Sequence, residues 1–90
     1  MYRPVYTRQF EKDLKRCRRR GWNLEKFKIV AGTLLAGQAL DAIHRDHKLV
    51  GTWAGRRDCH VESDWVLIYK LDGEILIFER MGTHADLFKK

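Results

Sequence analysis

The amino-acid sequence predicts an α+β domain: a small twisted, mainly antiparallel four-stranded sheet with an N-terminal helical hairpin on one face. Three observations lead to this prediction. Apolar residues recur at helical spacing over residues 8–37, the period changes to two between residues 56 and 80, and the hairpin signal Asp72-Gly73 divides that second part. The predicted element order is β-α-α-β-β-β, within one domain of residues 1–90.

The first two elements are a short strand and a helix. Arg3–Tyr6 is β-branched and aromatic in character, and Pro4 favours an edge position or a strand start. Thr7 is the predicted N-cap of a helix over Arg8–Arg20, which Gly21 ends. The apolar stripe of this helix consists of Phe10, Leu14 and Cys17.

A second helix follows almost at once. Asn23 is its predicted N-cap, and the helix ends near Gly37. Its inward-facing residues are Leu24, Phe27, Val30, Ala31 and Leu34. Because the connection over residues 21–23 is short, the two helices are predicted to pack antiparallel as a hairpin.

The remaining chain is predicted to form three strands after an irregular stretch over residues 38–52. Arg56–Glu62 alternates, with one polar face that is predicted to lie outside the core. That face consists of Arg56, Asp58, His60 and Glu62. Trp65–Leu71 is apolar on both faces, as in a central strand, and Glu74–Arg80 returns antiparallel. The last residues are predicted to form a short helical turn, and one sheet face or edge stays open for function.

Composition indicates a globular chain of 90 residues, 44% apolar and 33% charged. No apolar stretch approaches the ~20 residues of a membrane span. The N-terminus has no apolar signal region, so a cytoplasmic location without membrane contact is expected. Two cysteines, Cys17 and Cys59, do not make a disulfide framework and are expected to be buried free thiols.

The net charge of +6 is concentrated in the first third of the chain. Residues 1–28 contain ten Lys or Arg and three Asp or Glu, whereas the rest carries a net charge of −1. A concentrated basic surface favours a polyanionic partner through counterion release. The alternative is a solvated basic helix that binds nothing. The predicted docking residues are Lys12, Lys15, Arg16 and Arg19.

Three of the four histidines lie within the last 44 residues. Imidazoles titrate near neutral pH, so His47, His60 and His84, together with Asp64, provide proton donors and acceptors. An arginine such as Arg80 is able to hold an anion between them. This set suits phosphodiester cleavage, although each histidine taken alone is as compatible with an ordinary surface position.

Several of these residues have other interpretations. The interval His47–His60–Asp64–His84 contains no compact ligand pair, so neither a metal nor a cofactor is predicted. His44 is expected to be an ordinary surface residue. Trp53 and Trp65 are typical of packing, whereas Phe88, in a polar tail, indicates either a docking groove or a stacked ligand.

Two segments carry a family resemblance. Residues 46–65 read D-H-x-L-x-G-x-W-x-G-x-R-D-x-H-V-E-x-D-W, and residues 78–88 read F-E-R-x-G-T-H-A-x-L-F. They resemble the YafQ group of bacterial toxins in the RelE/ParE superfamily of type II toxin–antitoxin systems. The resemblance covers nearly half the chain, and the order of predicted elements agrees with a RelE-like fold.

The resemblance implies a ribosome-dependent mRNA endonuclease that cuts in the ribosomal A site and is silenced by a cognate antitoxin protein. Its catalytic set would be His47, His60, Asp64 and His84. Trp65 and Phe88 would adjoin the substrate, and Arg80 would contact a phosphate. From the chemistry, His84 is the candidate acid and either Asp64 or His47 the base, while His60 and Arg80 would stabilise charge.

Two alternatives remain at this point. One is a ParE-like gyrase inhibitor of the same fold, which has no need for a histidine cluster. The other is a non-catalytic nucleic-acid-binding module that relies on the basic helix. Growth arrest that depends on the His84 imidazole would separate both from a nuclease.

Overall fold

The computed structural model describes residues 1–88, so the tail formed by Lys89 and Lys90 lies outside the described residues. Its helices and strands are β1 (Arg3–Tyr6), α1 (Arg8–Arg19), α2 (Leu24–Leu35), β2 (His47–Lys48), β3 (Arg57–Glu62), β4 (Trp65–Asp72), β5 (Ile75–Gly82) and α3 (His84–Phe88). Single 3₁₀ turns cover Ala42–His44 and Gly51–Trp53.

The strands form one sheet in the order β1-β5-β4-β3-β2, with β1 parallel to β5 and the other pairs antiparallel. The predicted α+β class and edge position of the first strand are confirmed. The predicted count of four strands was wrong, because His47 and Lys48 pair with Asp58 and Arg57 as a fifth strand. Two residues are too few to show an alternating pattern in the sequence.

Capping fixes where α1 begins and ends. The Thr7 hydroxyl accepts a hydrogen bond from the Phe10 amide at 2.9 Å, and the same oxygen donates to the Glu79 carbonyl at 2.9 Å. One side chain therefore caps the helix and joins it to β5. At the other end Gly21 has a φ of +80°, the left-handed conformation that terminates helices.

Apolar clusters lie on both faces of the sheet, and the second face is covered only in part. On one face the two helices pack over the larger core, where the Phe10 ring lies 5.6 Å from Phe27 and 5.5 Å from Phe78. On the other face Val66, Ile68 and Leu87 form a smaller cluster. Leu49, Trp53 and Phe88 pack against that cluster. The prediction that β4 is a central strand is confirmed, since its first five residues are buried.

A buried carboxylate joins α1 to β5. Asp13 accepts from the guanidinium of Arg80 through Nε at 2.7 Å and Nη2 at 3.2 Å. It also accepts from the Met81 amide at 3.0 Å and from Arg16 at 3.1 Å. Because Asp13 is fully buried, these donors replace the water that its charge would otherwise require.

Candidate active site

The candidate site lies on the sheet face opposite α1 and α2. His60 pairs with Val66, and Asp58 pairs with Ile68, and residues opposite each other share a face. His47 pairs in turn with Asp58. These side chains therefore lie on the same side as the smaller cluster, beside α3. The open face expected from the alternating pattern of β3 carries the histidines.

His84 and Asp64 form the most direct pair in the site. The His84 ring nitrogen Nδ1 lies 2.6 Å from Asp64 Oδ1, and the His84 amide donates to the same oxygen at 2.9 Å. These hydrogen bonds hold the pKa of Asp64 below its ordinary value. With Nδ1–H donated to the carboxylate, Nε2 of the half-exposed ring is the nitrogen available to a substrate.

His60 lies next to this pair. Its ring centroid is 5.1 Å from that of His84, at an interplanar angle of 70°. Partial burial lowers the pKa of His60, and the neighbouring Asp58 carboxylate opposes that shift. The His60 carbonyl accepts from Nδ1 of His44 at 2.7 Å. His44, expected to be an ordinary surface residue, is therefore half-buried and fixes the backbone of a site residue.

His47 is fixed from the same loop. Its Nδ1 lies 2.6 Å from the carbonyl of Arg45, whose left-handed backbone (φ 49°) directs that carbonyl toward the ring. Asp58 Oδ1 lies 3.1 Å from the same nitrogen but makes no hydrogen bond to any residue in the range 1–88. The Nδ1–H group of His47 makes one good hydrogen bond, and the shorter distance is to the Arg45 carbonyl. We therefore assign this hydrogen bond to Arg45 rather than to Asp58.

Asp58 is the site residue that the sequence reasoning missed. It was expected to lie outside the core with the polar face of β3, yet it is only 4% exposed. The correction has a physical reason: β2 and the loop that precedes it cover this part of the strand. Burial raises the pKa of Asp58, while the nearby positive charges of His47, His60 and His84 lower it. The Asp58 carboxylate therefore interacts electrostatically with all three histidines.

The predicted substrate contacts divide into three cases. The ring of Phe88 lies 6.2 Å from that of His84, next to the site. Trp65 is 2% exposed and packs against Trp22 beneath the helices, so the expectation that it touches a substrate is corrected to a role in the core. Arg80 is held by Asp13 through two of its nitrogens, which leaves Nη1 for an anion.

The four predicted docking residues fall into two groups by exposure. Lys12, Lys15 and Arg19 are exposed along α1. Arg16 is half-buried and lies 3.1 Å from Asp13 and 3.6 Å from Asp86, so its charge is used inside the protein. The expectation that Arg16 docks on a partner is corrected accordingly.

Asp86 fastens α3 onto α1. The Asp86 carboxylate accepts hydrogen bonds from Arg20 Nη1 at 2.7 Å and from the Thr83 amide at 2.9 Å. In return, the backbone amide of Asp86 donates to the Thr83 hydroxyl at 3.0 Å. The Arg20 guanidinium holds the pKa of Asp86 well below its ordinary value. In the unfolded chain the Asp86 carboxylate has its ordinary pKa and binds a proton more readily than in the folded protein. The contact with Arg20 therefore stabilises the fold above pH ~4, and this stabilisation is lost as the pH falls further.

Gly82 has no side chain, and the Asp86 and Arg16 side chains occupy the space where one would lie. A Cβ at this position would lie 2.8 Å from Arg16 Nη2 and 3.0 Å from Asp86 Cβ. We expect Gly82→Ala to destabilise the protein by roughly 1–3 kcal/mol and to slow any reaction that uses His84, because α3 must shift. Thermal unfolding and an activity assay measure both effects. Gly32→Ala, in open space within α2, is the matched control and is expected to be neutral or slightly stabilising.

The electrostatic effect of Asp58 on the site can be tested by measuring how the histidines titrate. We expect Asp58→Asn to lower the pKa of His60. The carboxylate stabilises the adjacent imidazolium and so opposes the lowering of this pKa by burial, and the asparagine does not. Activity should fall by less than the ~10²-fold typical of a proton-transferring group, because Asp58 acts through its neighbours. An NMR titration of the histidine rings measures the shift. A His60 titration curve unchanged in the variant would remove Asp58 from the site's electrostatics.

Two further features bear on the class of protein. Among residues 1–88 no group of three or more His, Cys, Asp or Glu residues is arranged to hold a metal ion. No helix in the described part of the chain is long and apolar enough to cross a membrane. What the sheet face presents is a cluster of imidazoles and carboxylates, backed by a basic helix.

Comparison with known proteins identifies the chain. A family model described as a bacterial toxin of type II toxin–antitoxin systems matches residues 2–89. The fold and site therefore belong to a toxin of this class. Within it, the chain belongs to the YafQ family.

Individual relatives agree. The mRNA interferase toxin YafQ of Escherichia coli strain K12 is 48% identical over 85 residues, covering 92% of this chain and 91% of that protein. The YafQ chain in a crystal structure of the E. coli DinJ–YafQ complex has a TM-score of 0.91 at 44% identity, covering 98% and 99% of the two chains. A copper-bound mutant toxin from Helicobacter pylori has a TM-score of 0.94 at 32% identity, covering 98% and 100%.

Proposed function

We propose that this chain is an endoribonuclease that cleaves mRNA on the ribosome by acid–base catalysis, and so inhibits translation. The observation that carries the proposal is the His84–Asp64 pair, with the His60 ring 5.1 Å from His84 on an open sheet face. Membership of the YafQ family supports it. A ribosomal target is consistent with a cytoplasmic location.

The reaction requires three things of the protein. The 2′-hydroxyl must lose a proton as its oxygen attacks the adjacent phosphorus, the phosphorane oxygens must be stabilised, and the departing 5′-oxygen must gain a proton. Attack forms the new O–P bond and expels the 5′-oxygen, leaving a 2′,3′-cyclic phosphate. The bond change balances without an added reactant.

The geometry supports a division of these roles. His84 is the acid: its Nε2 can supply the proton to the 5′-oxygen, while Asp64 holds the ring through Nδ1. Asp64 is thereby a positioning residue. His47, whose Nδ1–H is given to the Arg45 carbonyl, has Nε2 as a free proton acceptor and is the better candidate base. His60 and Arg80 Nη1 would stabilise negative charge on the phosphorane, and Phe88 would stack on a base.

Metal independence is the first test of the proposal. We expect purified protein to cut mRNA on translating ribosomes at an unchanged rate after treatment with a zinc and copper chelator that leaves magnesium, and therefore the ribosome, intact. Free RNA should be cut poorly. Loss of cleavage on chelation, restored by one of these metals, would replace acid–base catalysis with metal chemistry. The copper in the H. pylori structure makes that arm of the experiment necessary.

Docking is proposed to reside on α1, separately from the chemistry. We expect reversal of charge at Lys12, Lys15 and Arg19 to weaken ribosome binding and flatten its salt dependence, because fewer counterions are released. Sedimentation binding at several salt concentrations measures this. Lys28→Glu on α2, where the lysine already pairs with Glu25, is the control. Unchanged affinity in the triple variant at ~100 mM salt would make α1 only a solvated face.

The cognate antitoxin is the second proposed partner, by analogy with the DinJ–YafQ complexes of the E. coli relative. A gyrase inhibitor and a non-catalytic binding module remain the competing functions. Neither needs a proton donor at His84. Growth arrest that survives His84→Ala would favour them over a nuclease.

A further inference from the structure

The turn before β2 contains the one non-glycine residue of the range 1–88 whose backbone is left-handed. Arg45 has a φ of 49°, a conformation that costs free energy in a residue with a side chain. Such a conformation persists only where the surrounding structure fixes it. The carbonyl of Arg45 accepts from Nδ1 of His47 at 2.6 Å, so the strained residue is in direct contact with the candidate site.

The residues on both sides of Arg45 are anchored by their side chains. His44, before it, binds a backbone carbonyl of β3 through Nδ1 at 2.7 Å. Asp46, after it, accepts from the Tyr69 hydroxyl at 2.6 Å and from Nε of Arg57 at 3.3 Å, both through Oδ1. The chain is therefore fixed immediately before and immediately after the strained position.

Asp46 and His47 are held on opposite faces of the sheet. His47 pairs with Asp58 on the face of the candidate site. Tyr69 instead belongs to the larger core beneath the helices, and Arg57 pairs with Tyr69 and shares its face. Because side chains alternate between faces along a strand, the anchoring of Asp46 just before β2 favours projection of His47 toward the site.

The contact between Asp46 and Tyr69 is well suited to hold this turn. Tyr69 is buried, and burial together with its hydrogen bond to Asp46 raises the pKa of the hydroxyl, which is therefore a donor at neutral pH. A hydroxyl that donates to a carboxylate makes a strong hydrogen bond. Without Asp46, the buried hydroxyl and the Arg57 guanidinium would both lose this acceptor.

We propose that Asp46 is a positioning residue for His47, and that its contacts with Tyr69 and Arg57 hold the left-handed turn that orients the His47 ring. The inference rests on the proposed function, in which His47 is the candidate base. Asp46 acts through the Arg45 carbonyl, from the face of the sheet opposite the reacting atoms. Loss of its contacts would leave Nε2 of His47 without one fixed orientation.

Cleavage of ribosome-bound mRNA under single-turnover conditions is the first measurement. Asp46→Ala is expected to lower the rate roughly 10- to 100-fold, the scale for misplacement of a catalytic group, and to leave ribosome affinity unchanged. Asp46→Asn keeps an oxygen for the Tyr69 hydroxyl and should recover most of the rate. Tyr69→Phe removes one of the two donors and should cause a smaller loss.

Tyr6→Phe is the matched control for Tyr69→Phe, because Tyr6 lies on β1 at the opposite edge of the sheet from β2. It should cut at the wild-type rate. Thermal unfolding identifies the variants that are folded, and Tyr69→Phe tests the proposal if Asp46→Ala does not fold. A wild-type rate in the folded Asp46 and Tyr69 variants would overturn the proposal.

A double-mutant cycle separates positioning from a general effect on the fold. In a His47→Ala background, Asp46→Ala and Tyr69→Phe are expected to lower the cleavage rate no further, because no ring remains to be oriented. A loss as large as in the wild-type background would overturn the proposal, since Asp46 would then act on some other part of the protein.

NMR spectra of the histidine rings provide a measurement that does not depend on cleavage. In Asp46→Ala and Tyr69→Phe the His47 ring signals are expected to shift toward those of a freely exposed histidine, while the His84 signals stay in place. Unchanged His47 signals in both variants would overturn the proposal. If the wild-type protein cut no mRNA but the His47 signals moved as expected, the proposed function would fail and the positioning of His47 by Asp46 would stand.

Discussion

His84→Ala is expected to lower the rate of mRNA cleavage by about 10²- to 10⁴-fold, the range for loss of one positioned proton donor. The reason is geometric: Asp64 holds Nδ1 at 2.6 Å, which fixes the orientation of the ring and leaves Nε2 for the proposed proton transfer. The rate is measured under single-turnover conditions on programmed ribosomes. Affinity for the ribosome should change little, because the residues proposed to dock on it lie on α1 and not at His84.

Two comparisons make that result specific. His84→Gln retains an amide donor of similar size but transfers no proton at neutral pH, so it should lose as much activity as the alanine variant. Thermal unfolding should remain cooperative in both, since the His84 side chain is half-exposed. An active glutamine variant, or a protein that no longer unfolds cooperatively, would move His84 from catalysis to structure.

Asp13→Asn is expected to cause the largest loss of stability, about 2–4 kcal/mol. The substitution removes a fully buried charge that faces Arg80, Arg16 and the Met81 amide, and leaves their positive charge without compensation. The figure is below the cost for a completely buried pair, because the Arg80 side chain is partly exposed. Urea denaturation measures the free energy of unfolding.

Glu11→Gln provides the control for Asp13, since Glu11 lies on the same helix but is exposed. We expect its free energy of unfolding to stay within about 0.5 kcal/mol of wild type. An equally small effect of Asp13→Asn would show that Asp13 does not anchor α1 on β5. The orientation of Arg80 would then need another explanation.

The sequence was most informative where periodicity is long. β4 is apolar on both faces over consecutive residues, and it is the central strand. Thr7 and Gly21 mark the ends of α1 through local backbone chemistry, within one residue of the prediction. These features depend on near neighbours in the chain, and so a single sequence contains them.

The errors share a different origin. Asp58 has the polarity of an exposed residue but is buried by β2, a contact with residues more than ten positions away. Arg16 looks like its basic neighbours on α1, yet it is engaged by Asp13 and Asp86. No local pattern distinguishes a charged residue paired across the fold from one in water.

The candidate site shows the same division. The family motif named His47, His60, Asp64 and His84, and the described structure gathers all four beside α3. The motif alone does not show that Asp64 binds the His84 ring. Nor does it show that His44 binds the carbonyl of His60, or that the Arg45 carbonyl binds the ring of His47. Those contacts depend on the left-handed turn at Arg45, a conformation that the residue type does not favour.

Chemical blocking of the attacking hydroxyl tests the central claim most directly. Once the cut position is mapped on a ribosome-bound mRNA, the same mRNA is prepared with a 2′-O-methyl group on the nucleotide 5′ to the scissile phosphate. The account predicts that the unmodified strand is cut to a 2′,3′-cyclic phosphate and a 5′-hydroxyl, and that the blocked strand is not cut there. Cleavage of both strands at equal rates would contradict 2′-hydroxyl attack and the acid–base roles assigned to His84 and His47.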